Sequence, residues 1–280
     1  MTPKDLSVFP FADLPLARRL EKAEADANRD FVKARAAVFP ERGAGHLEVA
    51  GTHAMFDGPA SPVTQTFCLG MFAPIANADM DQLEDFFFTR GADVFHEVCP
   101  MADESAVALL NMRGYKAIEF SNVLYRPINA HITLSREPND RLRIRKTEPG
   151  DHEVWAKTFI EGWSEFEGLE EFLSEMSAIS PARETLDFIA EFDGAAIATG
   201  SMFISGDVAM LAGACTIPTA RRQGAQLALL EYRLRYAAEH GCDIAIMATL
   251  PGSGSQRNAE RNGFRIAYTR TKWHLPRETN

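Results

Sequence analysis

The chain closes twice in the same way. Residues 93–126 and 243–275 each read as an apolar strand, a proline with an acid nearby, a short helix and a Gly-aromatic pair that opens a long strand. Asn111-Met112-Arg113-Gly114-Tyr115 answers Glu260-Arg261-Asn262-Gly263-Phe264. A glycine after the last helical turn takes the left-handed conformation that stops a helix. A strand, a helix stopped in this way and a further strand, occurring twice, predict a divergent internal duplication. At the midpoint of the 280 residues, Arg136-Glu137-Pro138-Asn139-Asp140-Arg141 is polar and charged and contains a proline, as a linker would. Each side of it is about the size of one domain. The expected class is α/β (α+β), with halves 1–135 and 141–280 that each form a mixed, mostly antiparallel sheet flanked by helices.

The second half is the clearer. Leu142–Lys146 alternates apolar and basic residues, as a half-buried strand does. The turn 147–151 follows, with Asp151 placed to cap helical residues 152–177. Strands are expected over Leu186–Phe192, Ala196–Ile204 and Val208–Ile217. They are punctuated by Asp193-Gly194 and Ser205-Gly206, the signature of an antiparallel meander. From Arg222 to His240 the period becomes helical, with Leu227, Leu230, Leu234 and Ala237 on one face. A strand at 243–249, a helix at 255–262 and a strand at 264–275 finish the order. In the first half, a helix over 16–38 precedes strands at 47–50, 52–56 and 63–72. A helix at 79–89, a strand at 93–98, a helix at 103–112 and a strand at 115–126 complete it.

Composition excludes several classes. Hydrophobic residues make up 46% and charged residues 24%, which rules out wholesale disorder. No apolar run approaches the roughly 18 residues that a membrane helix needs, and the first residues lack the apolar core of a secretory signal. Cys68, Cys99, Cys215 and Cys242 are scattered without a CxxC pair, so neither a zinc cage nor a disulfide framework is expected. Reduced thiols fit a cytoplasmic protein. The net charge of −10 argues against nucleic acid as a partner. Residues 221–280 nevertheless carry +5, so any site for an anionic ligand is expected there.

The most informative string is Cys215-Thr216-Ile217-Pro218-Thr219-Ala220-Arg221-Arg222-Gln223-Gly224-Ala225-Gln226, where a strand ends and a helix begins. Such a junction exposes unpaired backbone N–H groups, and the helix dipole adds roughly half a positive charge. Gly224 lets the backbone approach a ligand closely. Arg221 and Arg222 oppose the dipole unless an anion joins them. Together these features predict a pyrophosphate cradle. Neither GxxxxGK[ST] nor GxGxxG is present, so nucleoside triphosphate and dinucleotide folds are disfavoured.

This string, with the order of elements around it, resembles the GNAT superfamily of acyl-CoA N-acyltransferases, whose pattern is V-x-P-x-x-[RQ]-x-x-G-x-[GA]. Thr216 stands in place of the valine and Gln226 in place of the final small residue. Residues 255–264, ending in Gly263-Phe264, resemble the family's second motif. The resemblance covers about 141–275, and the first half looks like a degenerate GNAT copy, as in tandem members of the family. It implies an N-acetyltransferase that uses acetyl-CoA as cosubstrate, with no metal. Thr216, Ile217 and Pro218 would lie along the thioester and pantetheine arm. Arg221, Arg222, Gln223, Gly224, Ala225 and Gln226 would wrap the pyrophosphate. Ser255 and Asn258 would sit near the thioester. The tyrosine that usually protonates the departing thiolate falls at Ala259, so Ser255 and Tyr268 are weighed as substitutes. General acid help is worth about 10²–10⁴-fold, less than the roughly 7–11 kcal/mol available from positioning. Its loss would therefore slow transfer without abolishing it. The alternative reading is a non-catalytic acyl-CoA-binding regulatory module.

The acceptor would be a small-molecule or peptide amine. Residues 151–210 carry a net −11, which favours a cationic one. Glu161, Glu165, Glu167, Glu170, Glu171 and Glu175 are candidate bases; Glu161, beside Gly162, is preferred, with Glu191 second. The first half shows no cradle: Asp79, Asp81 and Glu84 at the matching junction satisfy the dipole themselves. Its expected role is scaffold, groove wall or the surface of a homodimer. His96, Glu97 and Cys99 alternate along a strand, which scatters them over two faces and argues against a metal site.

Overall fold

In the computed structural model, residues 9–129, 132, 139–165 and 174–277 are described. In the first half, helix α1 (Leu14–Val38) leads to strands β1 (Gly45–Val49), β2 (Thr52–Phe56) and β3 (Gln65–Phe67). Helix α2 (Asn77–Phe88), β4 (Val94–Val98), α3 (Glu104–Met112) and β5 (Lys116–Pro127) follow. The second half begins with β6 (Leu142–Lys146), α4 (His152–Trp163) and the single turn α5 (Met176–Ile179). The meander β7 (Leu186–Phe192), β8 (Ala195–Ser205) and β9 (Val208–Thr216) comes next. Then come α6 (Ala225–Glu239), β10 (Ile244–Thr249), α7 (Gly254–Arg261) and β11 (Arg265–Leu275).

The α/β class with a mixed, mostly antiparallel sheet flanked by helices is as expected. The two halves are fused into one eleven-stranded sheet of order β1-β2-β3-β4-β11-β5-β10-β9-β8-β7-β6. Each half lends its closing strand to the other. β11 lies between β4 and β5, pairing Thr271–Leu275 with Val94–Val98. β5 lies between β11 and β10, pairing Asn122–Pro127 with Ile244–Thr249. β10 meets β9 over only three residue pairs, so β5 supplies most of its edge. A β-strand with an unpaired row of N–H and C=O groups is satisfied by any strand of fitting register. The two similar endings therefore exchange without cost in hydrogen bonds.

Alternation along the strands supplies both faces. Val208, Met210, Ile244 and Ile246 point to the α1 and α4 side, while Ala209, Leu211 and Ala245 point to α6. Helices α2 and α3 cover that second face in the first half. Helix α1 reaches across the midline. Its Asp26 accepts from Ser205 Oγ at 2.6 Å, and Asp30 accepts from Thr185 N and Oγ1 at 3.1 and 2.7 Å. Val63–Phe72, expected as one long strand, pairs only over Gln65–Phe67. Cys68, at φ +67°, turns the chain out of the sheet, and Cys68, Leu69 and Met71 are buried as loop. Their apolarity reflects packing rather than strand.

Candidate functional site

Strands β9 and β10 run parallel and are bonded only through Val208–Met210 and Ile244–Ile246. Beyond this point they part. β9 stays with β8 as far as Thr216, and β10 stays with β5 as far as Thr249. A bulge bends β9: Gly213 and Ala214 together oppose Gly200, between the pairs Ser201–Ala212 and Thr199–Cys215. Gly213 sits at φ +57°, and a Cβ there would lie 3.1 Å from Ser201 Oγ and 3.4 Å from the Phe159 ring. A glycine is required. The fully buried Arg233 of α6 holds the bulge by donating to Ser201 O at 2.9 Å and Ala212 O at 3.2 Å. Burial lowers its pKa to about 10.

A cavity of about 490 Å³ fills the gap. Ala214, Cys215 and Thr216 form its β9 wall, residues 220–227 its rim, Asn258 of α7 the opposite side and Gly162-Trp163 the end of α4. Gly162 is needed for this closeness, since a Cβ on it would come within 2.4 Å of Cys215 Sγ. Pro218–Ala220 form a single turn, Arg222 takes φ +67° and Gly224 φ +82°, and α6 starts at Ala225 without a side-chain cap. Among the described residues, none accepts a hydrogen bond from the amides of Arg222 to Leu227; the helix ladder begins with Ala228 N on Gly224 O. A left-handed non-glycine residue costs of order 1–3 kcal/mol, a strain found where function demands it. Here it falls within the run of amides that have no acceptor among the described residues.

The sequence-predicted residues divide accordingly. Thr216, Arg221, Arg222, Gln223, Gly224, Ala225, Gln226 and Asn258 all line the cavity. Ile217 and Pro218 do not: Ile217 N returns to Ile197 O at 3.0 Å, and Pro218 starts the turn. Ser255 is exposed in the first turn of α7, behind its capping residue Ser253, and Glu161 is half-exposed with Lys157 3.9 Å away. Neither touches the cavity. Ala259 is buried in the core. Tyr268 is also away from the cavity, donating to Glu21 Oε1 at 2.8 Å beneath α1. Glu191 is bonded to Arg145 Nε at 2.8 Å, and Glu175 pairs with Arg35 and Arg42. Glu165 is paired with Arg221 at the rim. Glu167, Glu170 and Glu171 lie outside the described residues. Asp151, Asp187 and Asp193 are likewise matched to Arg145, Arg183 and Arg141, so much of the local excess of acid is neutralised by pairing.

Both departures from the family pattern are explained by one contact. Gln226 Nε2 donates to Thr216 Oγ1 at 2.8 Å. The larger side chain is tied back to the end of β9. Gly162, Trp163, Ala214 and Cys215 were missed as lining residues. Their only signal was a glycine inside a helical pattern. The Cys215 thiol is held in the wall: it bonds with Thr199 Oγ1 at 3.2 Å, and burial pushes its pKa up to about 11.

Residues 152–264, within the second half of the chain, match the model of the acetyltransferase (GNAT) family. Enzymes of this family transfer an acyl group from acetyl-CoA. Among solved structures, the chain resembles a GCN5-related N-acetyltransferase from Kribbella flavida. The two are 16% identical, covering 94% of this chain and 96% of that one, with a TM-score of 0.67. A tandem GNAT protein from the clavulanic acid biosynthesis pathway is 12% identical, covering 83% and 80%, with a TM-score of 0.57. A GCN5-related N-acetyltransferase from Sphaerobacter thermophilus is 15% identical, covering 80% and 76%, with a TM-score of 0.55. These are likenesses of fold. No curated protein matches the chain by sequence. Among the described residues, no helix is long and apolar enough to cross a membrane.

Proposed function

We propose that the protein is an N-acetyltransferase with one coenzyme site per chain, in the gap between β9 and β10. The observation that carries this reading is the run of amides from Arg222 to Leu227, which have no acceptor among the described residues and belong to residues that line the cavity. Backbone N–H groups at a helix start are suited to a pyrophosphate, and Arg222 adds a cation. The bound coenzyme would supply a thioester-activated acetyl group. The splayed strand ends expose β9 backbone at Ala214 to Thr216 for its arm, with Asn258 across the gap. Residues 141–280 carry this site, and residues 1–135 support it through α1 and β5.

With acetyl-CoA bound, a neutral amine nitrogen would attack the acetyl carbon directly, the thioester C–S bond would break, the coenzyme would leave as its thiolate, and the proton lost by the nitrogen would end on that thiolate or in solvent. The buried Cys215 argues against an acyl-enzyme. Ala259 leaves the usual acid position empty of any proton donor, so binding and orientation carry the rate. Glu161 as base and Ser255 as proton donor stand outside the cavity lining, and turnover of the Glu161→Gln, Ser255→Ala double variant tests both roles. The acceptor is a small-molecule or peptide amine, and the net −11 of residues 151–210 favours a cationic one, although several of these acids are paired with arginines. The measurement is coenzyme release across an amine panel, beside thermal melting with acetyl-CoA. A ligand bound at 100 times its Kd stabilises by about 2.7 kcal/mol. Turnover with any amine supports the enzyme. A melting shift without turnover on a broad panel means the binding module instead, and no shift at millimolar acetyl-CoA defeats both.

A further inference from the structure

The β1–β2 hairpin, at the opposite end of the sheet's first half from the coenzyme gap, brings three electron-pair donors to one point. Its turn residues Ala50 and Gly51 are both left-handed, with φ +48° and +76°. This is the type I′ geometry whose twist suits a two-residue hairpin. The turn fixes the register. Glu48 stands directly opposite His53, and His46 lies two residues before Glu48 on the same face. His46 Nε2 is 3.1 Å from His53 Nδ1, and the rings stack with centroids 5.3 Å apart. Glu48 Oε2 is 3.9 Å from the same Nδ1, and the three donor atoms all lie within 4.8 Å of one another.

One proton between two ring nitrogens satisfies that pair but leaves the carboxylate without a share in it. A cation satisfies all three. Four-coordinate zinc takes nitrogen ligands at about 2.0–2.1 Å, which sets two of them about 3.3 Å apart. The observed nitrogen separation is within a few tenths of an ångström of this. His53 is buried, while Glu48 is exposed and free to swing inward. Burial and the neighbouring ring push the pKa of His46 down to about 4, and burial lowers that of His53. The charged groups facing them from α1 are Lys22, Asp26, Arg29 and Lys33. Lys22 and Arg29 are already joined to Asp26, at 2.6 and 2.7 Å.

We propose that His46, Glu48 and His53 bind one divalent transition-metal ion of the zinc class, with the fourth position open to water. A neutral N₂ pair with one carboxylate suits a borderline ion rather than calcium or magnesium, which take oxygen ligands. The ion would clamp the edge strand β1, which pairs on one side only, to β2. The site shares no residue with the coenzyme gap, so it stands or falls independently of acetyl transfer.

The test uses the full untagged chain, freed of metal with a chelator and titrated with Zn²⁺ alone. Co²⁺ serves as a second probe whose visible bands report four-coordination. One Zn²⁺ per chain is expected, with a raised melting temperature. His46→Gln and His53→Gln should each weaken binding by more than about 100-fold, and Glu48→Gln by about tenfold, since each removes a ligand. Glu48→Gln changes an exposed side chain, so a folding failure cannot account for its effect. His240→Gln, on an unrelated exposed histidine, should leave binding as it was. The proposal is overturned if the wild-type chain takes up no stoichiometric Zn²⁺, or if binding is the same in all three ligand variants.

Discussion

The molecule contains the same gap twice, once open and once sealed. In the second half, β9 and β10 part after three bonded pairs, and a cavity separates the loop after β9 from α7. In the first half, β3 and β4 also run parallel, bonded at Thr66 and His96. There the loop after β3 folds across the opening. Gly70 O accepts from Asp103 N at 2.9 Å, and a Cβ on Gly70 would lie 3.0 Å from Ala106. Ala76 N, at the start of α2, is capped by Asp79 Oδ2 at 2.8 Å. Arg113 holds Asp81 at 2.6 Å and Glu84 at 2.8 Å, so these acids are matched internally.

Beside Cys68 and Cys99, at the ends of β3 and β4, the space under α1 holds charges rather than a ligand. Arg270 of β11 is surrounded by Glu24 at 2.8 Å and by Glu21 and Glu97 at 3.5 Å. Ser121 of β5 donates to Glu97 at 3.0 Å. Burial pushes the Glu21 carboxyl up to about 7, although Arg270 opposes this. The difference between the gaps teaches what would suit one of them to binding. Splayed parallel strands alone do not suffice; the amides at the mouth must also lack partners of their own.

The largest effect is expected from separating the halves. Residues 141–280 alone lose β5, the strand that pairs with all of β10. They should be aggregated or unfolded by circular dichroism, with coenzyme binding restored only on co-expression with 1–135. A stable, acetyl-CoA-binding fragment would break the view that the halves are interdependent.

Arg270→Met comes next. It leaves buried carboxylates unpaired, and breaking such a cluster costs about 3–5 kcal/mol. Chemical denaturation should show this loss, with coenzyme affinity in the folded fraction unchanged. Glu21 makes a related prediction. Its folded pKa of about 7 lies above its ordinary value of 4.5, so the folded state holds the extra proton. Its contribution is full below pH 4.5 and is lost as pH rises to 7, by at most about 3 kcal/mol. Denaturation curves from pH 5 to 7.5 should slope less for Glu21→Gln than for the wild type.

At the open gap, Gly224→Glu should weaken acetyl-CoA binding by about 100-fold, roughly 2.7 kcal/mol. It puts a carboxylate and a strained left-handed residue at the cradle. The double variant with Arg222→Glu should abolish the melting shift. A smaller change is expected from Arg221→Ala, an exposed residue shared with Glu165. KM for acetyl-CoA should rise about three- to tenfold with kcat unaltered, as removal of an exposed ion-pairing group implies.

Much of the architecture was legible. The periods of 2 and 3.6 and the Gly and Asp-Gly stops located nearly every element of the second half to within a few residues. The strand–Pro–Arg–Gly–helix string pointed to residues that rim a cavity, because dipole and glycine chemistry are local. The catalytic candidates were not legible in the same way. Whether Ser255 or Tyr268 faces a cavity depends on the burial of whole elements, and the structure puts the first in solvent and the second under α1. The His46, Glu48 and His53 cluster was also overlooked. A hairpin turn separates its members in sequence, and only cross-strand register brings them together.

By itself, then, the sequence determined which segments are strands and helices, which face of each is apolar, and where a helix start could bind a phosphate. Only the tertiary structure decided that β5 and β11 cross over to the other half, and that one gap is open while its twin is shut. The physical reason is that side-chain patterns encode faces, whereas backbone hydrogen bonds are the same for every strand. The choice of neighbour is therefore settled by the packing of the whole molecule.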